Sequence, residues 1–431
     1  MTKTALPPEF ITQITDHLGP DAPAFIASYD QPATHGLRVN PEKISLDRLR
    51  ALTGWNLEPI PWCRDGAYID PSVRAGAHPY HAAGLYYLQE PSAMAVAELA
   101  DLHPGQFVLD LAASPGGKST QILSAIGPTG MLVANEIHPA RIKALGENLE
   151  RWGATNAIIT NRSPEQLLDL GPVFDRVVVD APCSGEGLFR RDPDARREWS
   201  VARVNGSADR QREILAAAIQ LMAPGGKLTY STCTFNQTEN EQVVADLLAT
   251  HPEWLLERTE RYWPHEIRGE GHTIARLAKS AELPGAWTGY APPRASDSQE
   301  WAAFASVAFA DDPVIGWGGL VTEYKGRFVM QHDRPVDLYH GAAIRNGLWL
   351  GDSKPGRFEP SHALALAVDP VFATNRLNLT VEQARRWLTG EPMSAEGKPG
   401  WVLITVDGFG LGWGKRTGNT VKNHYPKGLR R

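Results

Sequence analysis

Residues 107–120 read FVLDLAASPGGKST. An apolar, strand-like run breaks into small residues and a Gly-Gly pair, and a helix-like stretch follows. Such a turn aims backbone N–H groups over a helix N-terminus and lets a ligand approach the main chain closely. Two ligand classes compete for it. A triphosphate cradle, GxxxxGK[ST], is matched by Gly117, Lys118 and Ser119. It needs glycine at 112, where Ala112 stands, and Pro115 removes an N–H the cradle would use. A nucleoside cofactor without a triphosphate fits better. Glu136 ends the next strand-like run, about twenty residues on, where a carboxylate accepts from both ribose hydroxyls. The glycine spacing for a dinucleotide pyrophosphate is absent. S-adenosylmethionine carries a ribose and a cationic sulfonium, and Asp110 beside the turn suits a cation.

Working outward, strand-like and helix-like segments alternate. MLVANEI (131–137) precedes ARIKALGENLERW (140–152). AIITN (157–161) and DRVVVDAP (175–182) follow. A helix is expected over ADRQREILAAAIQLM (208–222), ending at PGG, then a strand over KLTYSTC (227–233) and a helix over TENEQVVADLLAT (238–250). This β–α repetition predicts an α/β fold with a doubly wound, mostly parallel sheet over 91–283. Continuous Val/Ile/Leu character fits strands buried on both faces. The proline-rich segment 1–90 predicts a small N-terminal α+β module. Residues 284–304 read as a linker, and 305–431 as a β-rich C-terminal domain.

With 431 residues, 42% hydrophobic and 21% charged, the chain has the composition of a soluble multidomain protein. No apolar run approaches the length of a membrane span, and MTKTALPPEF lacks a signal-peptide layout, so a cytoplasmic protein is expected. The net charge of −6 excludes an overall cationic coat but not local patches. RRDPDARR (190–197) and the tail from Gly414, with Lys415, Arg416, Lys422, Lys427, Arg430 and Arg431, are such patches. Trp413, His424 and Tyr425, interleaved with the tail's charges, point to a nucleic-acid surface. Nothing calls for an obligate interface, so a monomer is expected.

Cys63, Cys183 and Cys233 are the only cysteines, with no CxxC pair, so neither a disulfide framework nor a metal site is expected. Cys183 lies in VVVDAPCSGEG (177–187) and Cys233 in TYSTCTFNQTENE (229–241). Both fall at predicted strand C-termini, the edge where open α/β sheets bind ligands. With Asp180 they could face one crevice. A helix starting just after Cys233, capped by Asn236 or Thr238, would favour its thiolate. A thiolate beside a methyl donor suits methylation of cytosine C5. Addition of sulfur to C6, with an acid near N3, makes C5 nucleophilic enough to take a methyl group. Loss of the C5 proton then releases the thiol. Cys233, Asp180 and Cys183 supply those residue types.

LDLAASPGGKST, VVVDAPCSGEGLFRRDP and YSTCTFNQTENE resemble the motifs of the NOL/NOP/Sun family of RNA 5-methylcytosine methyltransferases. The likeness covers roughly 85–280, including LYYLQEPSAM (85–94) and WPHEIRGEGHTIARL (263–277), which is similar to the family's closing hairpin strand. It implies a Rossmann-like methyltransferase core and a nucleophile at Cys233, after Thr232. Cys183, after Pro182, would assist product release. Asp180 and Lys118 are also implied in the active site. Cofactor contacts are implied at Ala112, Ala113, Ser114, Pro115, Gly116, Gly117, Lys118, Glu136 and Asp180. Ser163 takes the place of an acidic residue of the family. LGDSKPGRFEPSHALAL (350–366) and GLGWGKRTGNTVKNHYPKGLRR (410–431) resemble the PUA-like extension of bacterial 16S ribosomal RNA methyltransferases of the RsmF type. The implied substrate is a cytosine of 16S rRNA in the 30S subunit, near the decoding centre. A transfer-RNA 5-methylcytosine methyltransferase and a non-catalytic RNA-binding assembly factor are the alternatives.

Overall fold

A computed structural model describes residues 5–280, 298–332 and 343–430. Its central sheet is built from β1 (Phe107–Asp110), β2 (Met131–Asn135), β3 (Ala157–Thr160), β4 (Phe174–Asp180), β5 (Met222–Thr232), β6 (Trp254–Tyr262), β7 (His272–Lys279) and β8 (Ala343–Asn346). The order is β6-β7-β5-β4-β1-β2-β3-β8. Strands β1 to β5 run parallel. β7 inserts antiparallel between β5 and β6, and β8 closes the far edge antiparallel to β3. Every residue of β1, β2 and β3 is buried, as a sheet covered on both faces requires. Helices α1 (Gly117–Ile126), α2 (Pro139–Trp152), α3 (Val201–Ala218) and α4 (Glu241–Thr250) make the crossovers and flanks. This is the Rossmann-like α/β core expected. Strand order reverses at β1, whose neighbours are β4 and β2, so the ligand crevice belongs at the C-terminal ends of these strands.

The N-terminal module carries a four-stranded antiparallel sheet, with Gly36–Val39 between Gly66–Tyr68 and Tyr86–Gln89. Arg38 bolts it to the core. Its buried guanidinium donates to Gly117 O (3.0 Å) and Thr120 Oγ1 (2.7 Å), and lies 4.8 Å over the Trp152 ring. Two preceding helices, Pro8–Leu18 and Ala22–Ser28, deliver Phe10, Phe25 and Tyr29 into an aromatic cluster with Phe189, Trp199 and Phe235. The module therefore presses on the loops that carry both site cysteines.

The C-terminal region holds two sheets. One runs through Gly319–Tyr324, Arg327–His332, Leu348–Lys354 and Arg357–Pro360. The other is five-stranded around Gly400–Val406 and Phe409–Thr417. The second shares one apolar cluster with the N-terminal sheet, in which Leu37, Tyr80 and Tyr86 meet Trp387, Ile404 and Leu411. Tyr80 Oη donates to Asp407 Oδ2 at 2.6 Å across that seam.

Several expectations need correction. α3 begins at Val201, because Ser200 Oγ accepts the Arg203 N–H as an N-cap, and it ends at Ala218. The PGG of 224–226 lies inside β5, where Gly225 takes φ +74° in an irregular stretch of the β4–β5 pairing. Of the expected linker 284–304, residues up to 297 lie outside the described residues. The rest belongs to a helix, Gln299–Ala308, whose Trp301, Phe304 and Ala305 form a buried stripe. Trp413 and Tyr425 are buried in the apolar clusters rather than displayed to a ligand, and His424 packs edge-on against Trp401. Arg431 lies outside the described residues. No helix among the described residues is long and apolar enough to cross a membrane.

Candidate active site

The ends of β1, β4, β5 and β7 converge on one crevice. After β1 the chain turns through 111–116 into α1. Gly116 sits at φ +111°, a left-handed conformation that favours glycine, and starts the helix. Asp110 at the strand end is fully buried, and its Oδ2 accepts from Ser119 Oγ at 2.6 Å. Burial pushes its carboxyl up to about 6, against the pull of Ser119 and Lys118.

Lys118, one residue into α1, turns inward. Its Nζ donates to Asp180 Oδ2 at 2.6 Å, and Ser231 Oγ donates to Asp180 Oδ1 at 2.8 Å. Burial alone would raise the Asp180 carboxyl. The Lys118 ammonium and His272 outweigh it and hold the group well below the usual carboxylate range. Asp180 is therefore held as a carboxylate beside the Lys118 ammonium. The Lys118 ammonium is the charged donor of the pair. A lysine so engaged is also turned away from a phosphate cradle, which weakens the triphosphate alternative.

Cys183 follows β4 and Cys233 follows β5, and both are partly exposed. Their sulfurs lie 3.4 Å apart. The bond to Cys233, then burial, pushes the Cys183 thiol well up. Either sulfur can be the donor in this contact. The expected helix N-terminus at Cys233 is absent, since α4 starts only at Glu241. What neighbours the sulfur instead is the Cys183 S–H, with the Lys118 ammonium close enough to interact with it. Cys63 is remote and buried, and burial pushes its thiol up to about 12.

Two fully buried carboxylates hold the cysteine loops. Glu186 accepts from the backbone N–H of Phe235 (2.6 Å) and Asn236 (3.1 Å) and from Trp199 Nε1 (3.1 Å). Glu239 accepts from Ser184 N (2.8 Å), Gln211 Nε2 (3.0 Å) and Asn236 Nδ2 (2.7 Å). Asn236 Nδ2 also reaches Glu186 Oε1 at 2.9 Å, so it links both acids. Gly187 N–H donates to Cys233 O at 2.7 Å, and a Cβ at 187 would sit 2.9 Å from that oxygen, so only glycine allows the approach. The sequence pointed to Asn236 only as a helix cap, and not to its joining of two buried acids. Their signal is present, since charged residues inside short loops beside reactive cysteines must be paired if buried.

Glu136 lies at the end of β2, almost wholly buried. Its Oε1 accepts the His138 N–H at 2.8 Å. Its Oε2 forms an ion pair with Arg141 at 3.2 Å and accepts no hydrogen bond. An acceptor left open beside a glycine turn fits a ligand bearing hydroxyl donors, as a ribose does. Ser163, beyond β3, is occupied locally: its Oγ accepts the Gln166 N–H at 3.4 Å. The arginine-rich loop is largely spent on structure. Arg190 pairs with Glu270 (3.3 Å), and buried Arg196 donates to Phe189 O (2.6 Å).

Residues 97–281 match the 16S rRNA methyltransferase RsmB/F family. Residues 6–91 match the N-terminal domain of 16S rRNA methyltransferase RsmF, 335–368 its first C-terminal domain and 374–431 its PUA domain. The ribosomal RNA small subunit methyltransferase F of Citrobacter koseri is 32% identical over 98% of this chain and 96% of its own length. That of Erwinia tasmaniensis is 34% identical over 99% and 97%. The chain belongs to the 16S rRNA methyltransferase RsmB/F family. A methyltransferase homolog protein from Pyrococcus horikoshii has the same fold at TM-score 0.55 and 25% identity, over 64% of this chain and all of its own. This family member thus combines the RsmF-type N-terminal module, methyltransferase core and PUA domain in one chain.

Proposed function

We propose that this chain methylates C5 of a cytosine in 16S rRNA of the small ribosomal subunit, with S-adenosylmethionine as donor. The observation that carries the reading is the Cys183–Cys233 pair, 3.4 Å apart, in one crevice with the Lys118–Asp180 ion pair. An amino-group methylase needs no sulfur nucleophile, whereas C5 methylation does. When bound, S-adenosylmethionine supplies an electrophilic methyl group. The turn 112–118 and Glu136 hold it, with Asp180 nearby, and Ser163 lies at the edge of that site.

The protein's own part runs as follows. The target base leaves its stack to enter the crevice. Cys233 attacks C6, and a C6–S bond forms. Lys118 and Asp180 hold the pyrimidine edge: as the C6–S bond forms, a proton passes from the Lys118 ammonium through Asp180 to N3, and the carboxylate accepts from the exocyclic amine. C5, now enamine-like, accepts the methyl group. A solvent water takes the C5 proton, N3 gives its proton back through Asp180 to Lys118, C5=C6 re-forms and the C6–S electrons return to Cys233 as a thiolate, next to the Cys183 S–H. The N-terminal module and the PUA domain present cationic side chains to the RNA.

Methyl transfer to 30S subunits from a strain lacking this gene, mapped by bisulfite sequencing, tests the reading. New 5-methylcytosine is expected in 16S rRNA and not in transfer RNA. Transfer to transfer RNA alone would move the target, and no transfer to either would defeat the reading. Glu136→Ala is expected to weaken S-adenosylmethionine binding roughly 10- to 100-fold, the worth of hydrogen bonds to a buried charge, as read by calorimetry.

A further inference from the structure

Behind Asp180 lies a chain of polar groups that the scheme above does not use. His272 opens β7 and is buried. Its Nε2 faces Asp180 Oδ1 at 3.7 Å, and its Nδ1 meets Ser92 Oγ at 3.2 Å. Ser92 Oγ donates to Glu90 Oε2 and accepts the Gly271 N–H at 3.1 Å. Glu90 is itself pinned, accepting the N–H groups of Ala93 (2.9 Å) and Glu270 (2.8 Å).

Hydrogen-bond accounting assigns the protons. The single Ser92 hydroxyl proton is committed to Glu90, so toward His272 the oxygen can only accept. Nδ1 therefore carries a hydrogen and donates to Ser92. The ring is locked by that bond, and an attractive contact from Nε2 to the Asp180 carboxylate calls for a second hydrogen, so His272 holds Asp180 as an imidazolium. A ring fixed at one nitrogen by a second residue and presenting the other to a working group is a common way to hold that group in place. His272 is also among the groups that hold the Asp180 carboxyl down.

We propose that His272, locked by Ser92 and Glu90, is a positioning residue that fixes Asp180, and through it Lys118, against the target base. This rests on the cytosine-C5 reading above. The relay ties the N-terminal segment 90–92 to the closing hairpin, so the base-holding pair is set by three separate parts of the chain.

The test compares His272→Leu, which removes both nitrogens, with His272→Gln, which keeps an N–H donor able to reach Asp180. Methylation of 30S subunits is measured under steady-state conditions. For His272→Leu, kcat is expected to fall about 10- to 100-fold, the scale of a small misplacement at a reacting centre. S-adenosylmethionine affinity should change by less than roughly threefold, because the glycine turn and Glu136 remain. His272→Gln should recover most of the loss. A His272→Leu enzyme with wild-type kcat would overturn the inference. So would equal losses in both variants that track their melting temperatures, since those would mark a packing role. A crystal structure of His272→Leu asks the same question without activity. Asp180 displaced from Lys118 supports the inference, and an unchanged ion pair refutes it, even if the wild type proved not to methylate 30S subunits at all.

Discussion

Cys233→Ala is expected to abolish methylation, with kcat lower by on the order of 10⁴-fold or more, the scale seen when a nucleophile is removed. Cytosine C5 does not attack a sulfonium methyl unaided, and the other sulfur, beside Cys233, is that of Cys183. Cys183 holds its proton more tightly than an ordinary thiol, because it is bonded to Cys233 and buried. Cys233 lies beside it and interacts with the Lys118 ammonium, and we assign the attack to that sulfur. S-adenosylmethionine affinity should survive the substitution, since the glycine turn and Glu136 are untouched. The measurement is methyl incorporation into 30S subunits, alongside calorimetric titration of the donor. Normal incorporation by Cys233→Ala would reject the assignment. If Cys183→Ala were instead the inactive variant, the two roles would be exchanged.

Cys183→Ala is expected to accumulate a covalent protein–RNA adduct, visible as a retarded band on a denaturing gel and absent from the wild type. Attack on C6 and methyl transfer precede the step in which the C6–S bond breaks. Once C5 is methylated, elimination is the only productive exit. At that point Cys233 must depart as a thiolate in a half-buried pocket, and the S–H that would receive it is missing. A slower attack would merely lower the rate, whereas a slower release fills the adduct state. The adduct should be lost in Cys183→Ala/Cys233→Ala. A band that persists in the double variant would mean that a different residue carries the RNA.

Much of the architecture was readable because its causes are local. The β–α alternation, the continuous apolar strands and the Gly-Gly turn follow from short-range pattern, and they led to the Rossmann-like core. The convergence of Asp180, Cys183 and Cys233 on one edge was also inferable, since ligands gather at strand C-termini in such sheets. What escaped notice depends on contacts far apart in the chain. Ser92 and His272 meet only because the N-terminal segment crosses the closing hairpin. Glu186 and Glu239 read as loop acids until Asn236 joins them in the interior. The ionised state of Asp180 needed Lys118 and His272 to be placed beside it. The tail misled for the opposite reason. Aromatic residues between lysines suggest a nucleic-acid surface, yet Trp413 packs against Phe304 and Phe309 in the interior, and Lys415, two residues on along the same face, is the partly exposed one.

The apolar seam between the N-terminal sheet and the last sheet has a cost for any shortened version of the protein. Deleting the C-terminal 58 residues, from Thr374 onward, would leave Leu37, Tyr80 and Tyr86 without their cover. Each large side chain laid bare forfeits roughly 1.5–3 kcal/mol. The N-terminal module would then become a sticky surface attached to an otherwise intact catalytic core. Start and finish of this polypeptide behave as two halves of a single scaffold. A change at Tyr80 has to be answered at Asp407 or Phe409, more than 300 positions away, for either half to keep its shape.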